Sequence, residues 1–262
     1  MLLRFDKYNL LNILTLFSFL IYSAVFIRYH YDGHHIGLQY SNALDLLNGK
    51  KPYKEIFIQY GILTTLIHSF ILKIFFNKIF FLNFFNIIFY LSSVIFISLT
   101  IYNFTKKQSY AFLATILILF NHPIPWLPWS NYLSFFFISI GLFLISNQNK
   151  NIFFIGLFLS LAILSRQDFA IGILSAGFIS FIFNFFSKNN LSFKSLFYLS
   201  AGFLIPIIIF FLYLLYLDVF EFWKSYLIIS KFYIEEYETS YSNLIWNYIK
   251  FFSLKSFFDF II

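Results

Sequence analysis

Long apolar segments recur along almost the whole chain, and this feature most restricts how it can fold. Segments such as residues 80–104 and 196–217 are rich in Phe, Ile and Leu and show no strict alternation of polar and apolar residues. They reach the roughly 20 residues that a helix needs to cross a membrane, and they lack the pattern of a transmembrane barrel. Charged residues make up only 11% of the chain, whereas soluble domains carry about 25%. The sequence therefore predicts an all-α fold, a polytopic transmembrane helical bundle.

Seven segments are predicted to cross the membrane, and the basic residues between them set their direction. These segments cover residues 8–27, 80–104, 110–127, 132–146, 152–164, 169–186 and 196–217. Arg4 and Lys7 place the N-terminus in the cytoplasm by the positive-inside rule, and the short lysine-bearing connectors then lie on the same side. We therefore predict a multi-pass plasma-membrane protein. It has a seven-span core at 1–217, a first outer loop at 28–79, and an outer polar segment at 218–262 with incomplete or interfacial helices.

Two interfacial juxtamembrane helices are predicted in the first outer loop. Residues 36–48 place apolar side chains at helical spacing with polar side chains opposite, which is typical of a helix lying on a membrane. Residues 61–76 are apolar but too short for a span of about 20 residues, and they contain His68 and Lys73. We interpret them as a second interfacial or partly re-entrant helix. The alternative is a short true span, which would invert all later loops.

The charge balance and the absence of cysteine exclude several classes of function. The net charge of +7 is assigned to loop topology and contact with anionic membrane lipids, and not to nucleic acid. The chain has no cysteine, so disulfides and thiolate metal sites are excluded. No metal or other cofactor is predicted.

The first outer loop begins with the strongest candidate for chemistry. Asp32 follows the first predicted span, where its carboxylate could act as a general base, although a helix or turn cap is the simpler interpretation. His34 and His35 are poor joint metal ligands because neighbouring residues on a helix face different ways. They could instead donate hydrogen bonds to a phosphate or a sugar, or form a solvated pair.

Further along this loop, Lys54 could attract a lipid phosphate, and Glu55 and Gln59 could hold sugar hydroxyls. Tyr60 follows them as a further candidate for substrate binding. Anchoring of the loop at the lipid headgroups by lysine and tyrosine explains the same residues equally well.

A second candidate lies between two later spans. An Arg and an Asp there are costly near hydrocarbon, which favours a functional role for Arg166 and Asp168. The planar guanidinium suits phosphate oxygens. The alternative is a local pair of Arg166 and Asp168, with Asp168 capping the next helix.

The run Gly49-Lys50-Lys51-Pro52-Tyr53-Lys54-Glu55 resembles a motif of the GT-C superfamily, which comprises polytopic glycosyltransferases such as protein mannosyltransferases and aminoarabinose transferases. Members commonly carry Asp-Glu, a juxtamembrane helix and then Gly-x-x-Pro-Tyr-x-Asp in the first outer loop. Asp32 aligns with the first acidic position, and Gly33 stands where many members have Glu. The resemblance covers roughly residues 8–190.

The resemblance implies transfer of a sugar from a polyprenyl-phosphate donor to a glycan, lipid or protein acceptor on the outer face, with no cofactor. It implies that Asp32 is the base and that Arg166 with Lys54 binds the lipid phosphate. His34, His35, Glu55, Gln59, Tyr60 and Asp168 complete the expected substrate-binding set.

The alternative from another class is a transporter or flippase of lipid-linked glycans. That alternative predicts inverted repeats and charges at mid-membrane, whereas the charges here lie at the ends of the predicted spans. A non-catalytic membrane scaffold is a third interpretation.

Overall fold

The computed structural model describes residues 7–27, 35–121, 125, 127–147, 152–170, 172–177 and 193–226. The helices in this part are α1 (Lys7–Phe26), α2 (His35–Leu47), α3 (Ile62–Ile74), α4 (Ile79–Thr105), α5 (Gln108–Asn121), α6 (Ser130–Ser146), α7 (Ile152–Ser165) and α8 (Phe193–Tyr216). Residues 172–177 and 220–226 are also helical. No β-strand occurs within these ranges, so the helical prediction is confirmed there.

Three of these helices are long and apolar enough to cross a membrane. They are α1, α4 and the part of α8 from Lys194 to Tyr216, with 20, 27 and 23 residues. The apolar helices α3, α5, α6 and α7 have 13 to 17 residues. The three long helices indicate a membrane protein, and the seven-span topology stays a prediction.

The chain divides into two compact units, Met1–Val219 and Phe220–Ile262. The helix α8 ends at the border of the first unit, where Asp218 adopts a left-handed conformation with φ 55°. In the second unit the described residues are 220–226, where the rings of Phe220 and Trp223 lie 5.8 Å apart. The division expected from the sequence, into a seven-span core at 1–217 and an outer polar segment at 218–262, stays a prediction.

Close helix packing builds the first unit, in which α4 packs on α6, α6 on α7, and α7 on α8. The α7–α8 contact depends on two glycines. A Cβ atom at Gly156 would lie 2.1 Å from the Leu199 carbonyl oxygen, and one at Gly202 would lie 1.9 Å from that of Phe153. Small residues that let helix backbones approach are typical of helix contacts in membranes.

The helices α2 and α3 pack together beside the start of α4. Ala43, Leu72 and Leu82 form their shared apolar core. The Tyr40 hydroxyl donates a hydrogen bond to the Asn77 carbonyl oxygen at 2.7 Å, and this contact ties α2 to the α3–α4 connection. With 13 residues, α3 is about 20 Å long, which is less than the roughly 30 Å of a hydrocarbon core.

The helices predicted at 36–48 and 61–76 are therefore present as α2 and α3. Their location at the membrane surface stays a prediction. Packing of α3 against α2, α4 and α7 buries seven of its residues, among them His68 and Thr64.

Candidate functional site

Two separate stretches of sequence meet at the candidate site: the loop from Gly49 to Gly61 and the turn after α7. The loop begins where α2 ends, because Gly49 takes a left-handed conformation with φ 83°. The Gly49 and Lys50 N–H groups donate to the carbonyl oxygens of Leu46 and Asp45, at 3.1 and 3.0 Å. This is the helix-ending arrangement that glycine favours, and it turns the chain away from α2.

Contacts of the backbone fasten the end of this loop to the end of α7. The Gly61 N–H donates to the Ser165 carbonyl oxygen at 3.2 Å, and the buried Thr64 hydroxyl donates to the same oxygen at 2.9 Å. A Cβ atom at Gly61 would lie 2.0 Å from the Leu164 carbonyl oxygen. Only glycine allows the two backbones to come this close. The close approach places Tyr60 beside Arg166, the residue that follows Ser165.

The side chain of Arg166 is only 20% exposed. Its guanidinium carbon lies 4.9 Å from the ring centroid of Tyr60 and 5.2 Å from that of Phe169. Cations over aromatic faces are stabilised by the ring quadrupole, by about 0.5 to 2 kcal/mol. The two rings thus hold the planar group in a fixed position.

The Arg166 side chain also forms an ion pair with Asp168. The Nε atom donates to both carboxylate oxygens of Asp168, at 2.7 and 2.9 Å. Within the described part of the chain, the two terminal amino groups of Arg166 have no hydrogen-bond partner. The two terminal amino groups of Arg166 can therefore donate hydrogen bonds to a ligand, in the fork geometry that suits a phosphate or carboxylate.

A compact turn lies next to this arginine. Tyr53 takes a left-handed conformation with φ 62°, which costs a non-glycine residue about 1 kcal/mol. The Tyr53 N–H donates to the Ile56 carbonyl oxygen at 3.1 Å, and the Gln167 side chain donates to the Tyr53 hydroxyl at 3.5 Å. This contact joins the loop to the turn after α7 at a second point.

The structure thus brings together Tyr60, Arg166 and Asp168 from the predicted set, but it gives Glu55 a local contact. The Glu55 carboxylate accepts the Lys51 N–H at 2.6 Å and closes the compact turn. Lys54 and Gln59 are exposed in the same loop. The predicted contacts of these three residues with substrate stay predictions.

The remaining predicted residues are not described at the level of side chains. Asp32 and His34 lie outside the described residues, and His35 begins α2 but its side chain lies outside them too. Among the residues that the structure describes, no group of three or more His, Asp or Glu side chains could hold a metal ion.

Sequence reasoning missed the residues that assemble the site, namely Thr64, Ser165 and Phe169, and did not connect Tyr53 with Gln167. The available signal was the run from Ser165 to Phe169, which interrupts apolar sequence directly after a short helix.

Comparison with family models, curated proteins and solved structures finds no match to this chain.

Proposed function

We propose that this chain is a multi-pass glycosyltransferase of the plasma membrane that transfers a sugar from a polyprenyl-phosphate donor to an acceptor on the outer face. The observation that carries the proposal is the geometry of Arg166, a mostly buried cation at the end of an apolar helix. Its two terminal amino groups have no partner among the described residues. A lipid-linked phosphate at the membrane surface is an anion that this fork fits.

The proposed reaction is a single displacement. Asp32 accepts the proton of the acceptor hydroxyl while that oxygen attacks the anomeric carbon of the donor sugar. The bond between the anomeric carbon and the phosphate oxygen breaks, and the polyprenyl phosphate leaves with one more negative charge. Arg166 and Lys54 stabilise that charge, because a cation near a leaving phosphate lowers the energy of the transition state.

The other predicted residues surround this centre in the proposal. His34, His35, Glu55 and Gln59 contact the sugar or the acceptor, and Tyr60 and Asp168 act beside Arg166. The support for this part is the placement of Tyr60 and Asp168 against the guanidinium. The support for a bundle of several spans is that the three long apolar helices and the shorter α5, α6 and α7 lie at six of the predicted spans.

The test is transfer of radiolabelled sugar from a polyprenyl-phosphate donor in membranes that contain equal amounts of each variant. Asp32→Asn keeps the size of the side chain but removes the proton acceptor, and loss of a general base costs about a hundredfold to ten-thousandfold in rate. Asp45→Asn is the matched control. Asp45 belongs to the same loop, where its carboxylate pairs with exposed Lys50 at 2.8 Å, so its loss should leave transfer unchanged.

Two outcomes would change the assignment. Transfer at the wild-type rate by Asp32→Asn, with an inactive Glu55→Gln, would move the base to Glu55. Absence of transfer by the wild-type protein from every such donor would favour the transporter of lipid-linked glycans.

A further inference from the structure

An open cavity of about 280 Å³ lies between α1 and α4 and shares no residue with the candidate site. Its walls include Asn12, Ile13 and Leu16 of α1 and Ile95, Ser98 and Leu99 of α4. Residues three and four positions apart lie on one face of a helix, so the cavity is a groove between one face of each helix, the α1–α4 groove. An apolar cavity of about 150 Å³ holds a benzene-sized molecule. The α1–α4 groove therefore has room for a segment of a hydrocarbon chain.

The α1–α4 groove is open to the surroundings of two helices that are long and apolar enough to cross a membrane. Ile13 and Ile95 in its walls are 52% and 42% exposed, and within α1 only Ser23 is buried. Ser98 brings a small side chain, and its hydroxyl donates to the Ala111 carbonyl oxygen of α5 at 3.2 Å. Ser98 therefore does not fill the space towards α1. In a membrane, such a groove faces the lipid.

The ring contacts of α1 show which end of the groove is near the basic residues. The rings of Phe19 and Tyr90 lie 6.0 Å apart, and those of Tyr8 and Phe112 lie 6.2 Å apart. The helices α1 and α4 therefore run antiparallel, and the N-terminal end of α1 lies beside the connection from α4 to α5.

Three exposed lysines lie at this end, namely Lys7 at the start of α1 and Lys106 and Lys107 between α4 and α5. Within the described ranges, none of the three forms an ion pair with a carboxylate. Lys7 precedes Asn9 of the groove by two residues, and Lys106 follows Leu99 by seven. With a helical rise of 1.5 Å per residue, these separations are about 3 and 10 Å along the helix axes. The apolar groove thus ends close to a patch of positive charge.

We propose that the α1–α4 groove binds one acyl chain of an anionic phospholipid, whose phosphate lies against Lys7, Lys106 and Lys107. The acyl chain covers the exposed faces of Ile13 and Ile95. Hydrocarbon alone does not select one phospholipid, because their acyl chains are alike, so the selection comes from the charge. One lysine near a membrane surface strengthens the attraction to anionic lipid roughly fivefold. This site does not depend on the proposed sugar transfer.

The test is photocrosslinking of the full chain in phosphatidylcholine vesicles that contain a trace of a phospholipid with a diazirine in one acyl chain. The probe carries either a phosphatidylglycerol or a phosphatidylcholine headgroup on the same acyl chains. Mass spectrometry of the peptides then locates the crosslinks. We expect them to concentrate on residues 9–16 and 95–99, with a severalfold higher yield for the phosphatidylglycerol probe.

Filling the groove tests the position of the acyl chain. Ile13→Trp places a larger side chain in the groove wall and should lower the yield of phosphatidylglycerol crosslinks there severalfold. Ile21→Trp is the matched control, because Ile21 is 51% exposed on the same helix and does not line the groove. An unchanged yield in Ile13→Trp would overturn the proposal.

Removing charge tests the selection of the headgroup. The double variant Lys106→Gln with Lys107→Gln should reduce the preference for phosphatidylglycerol severalfold and leave the phosphatidylcholine yield unchanged. Lys73→Gln with Lys78→Gln is the control, since these exposed lysines lie near the other end of α4. Equal yields of the two probes in the wild-type protein would overturn the proposal. Crosslinks spread evenly over the exposed residues of α1 and α4 would do so too, because they indicate contact with bulk lipid only.

Discussion

Replacing Gly61 by alanine should separate the outer loop from the end of α7. The added Cβ would lie 2.0 Å from the Leu164 carbonyl oxygen, and 2.5 and 2.6 Å from the carbonyl carbon and oxygen of Ser165. Carbon and oxygen atoms in close non-bonded contact are normally about 3.3 Å apart or more. The backbones must therefore move apart by roughly 1.3 Å. All three contacts are with backbone atoms, so no side-chain rotation relieves them.

The size of the effect follows from two contributions. Overpacking of this kind costs about 1 to 3 kcal/mol. The same movement breaks or lengthens the bonds that Gly61 and Thr64 donate to the Ser165 carbonyl oxygen, each worth about 1 kcal/mol. We therefore expect Gly61→Ala to destabilise the docked loop by about 2 to 5 kcal/mol. Because Arg166 follows Ser165, its contact with Tyr60 should be lost as well.

Reversible unfolding by SDS in mixed micelles measures the stability, and limited proteolysis of residues 49–61 measures the docking of the loop. Gly37→Ala is the matched control. Gly37 lies in α2 with no atom within 4 Å of an added Cβ, so alanine there should be neutral or stabilising by up to about 1 kcal/mol. If Gly61→Ala keeps both the wild-type stability and the wild-type protection of the loop, the close approach of Gly61 to α7 is wrong.

Three further experiments concern the donor site, the α7–α8 contact and the predicted membrane topology. Arg166→Lys keeps the charge but loses the planar fork, so the donor KM should rise about tenfold, or about 1.4 kcal/mol; an unchanged KM in Arg166→Ala would exclude contact with the phosphate. Gly202→Ala should destabilise the α7–α8 contact by about 1 to 3 kcal/mol in SDS unfolding, whereas Gly141→Ala, with a nearest contact of 3.6 Å, should not. In a chain without cysteine, an impermeant thiol reagent should label Lys73→Cys and not Lys106→Cys, and the reverse would refute the predicted topology.

Local patterns were sufficient to locate most helices. The amphipathic spacing and Gly49 predicted a helix at 36–48, and α2 covers His35–Leu47. The predicted span at 80–104 corresponds to α4, Ile79–Thr105, which ends where Lys106 turns left-handed. These features are encoded within a few residues of where they act, through side-chain periodicity and the turn preference of glycine. For that reason a single sequence is enough to find them.

The assembly of the candidate site was not predictable in the same way. The Thr64–Ser165 hydrogen bond joins residues 101 positions apart, and no periodicity within either segment indicates that partner. The predicted contact of the Glu55 carboxylate with a sugar stays a prediction. The structure shows that this carboxylate accepts the N–H of Lys51, four residues earlier, a local contact that side-chain periodicity did not indicate.

Arg166 shows why two interpretations of one sequence motif need not compete. A local pair with Asp168 was the alternative to phosphate binding, and the structure contains that pair. The pair uses only Nε, and the Asp168 side chain is 56% exposed. An exposed ion pair contributes only about 0 to 1 kcal/mol, so Asp168 holds the guanidinium weakly. The faces of Tyr60 and Phe169 orient it from positions that an incoming anion does not need to displace. The proposed phosphate can therefore bind the terminal amino groups while the aromatic contacts persist, and the carboxylate can turn towards solvent as the new negative charge arrives.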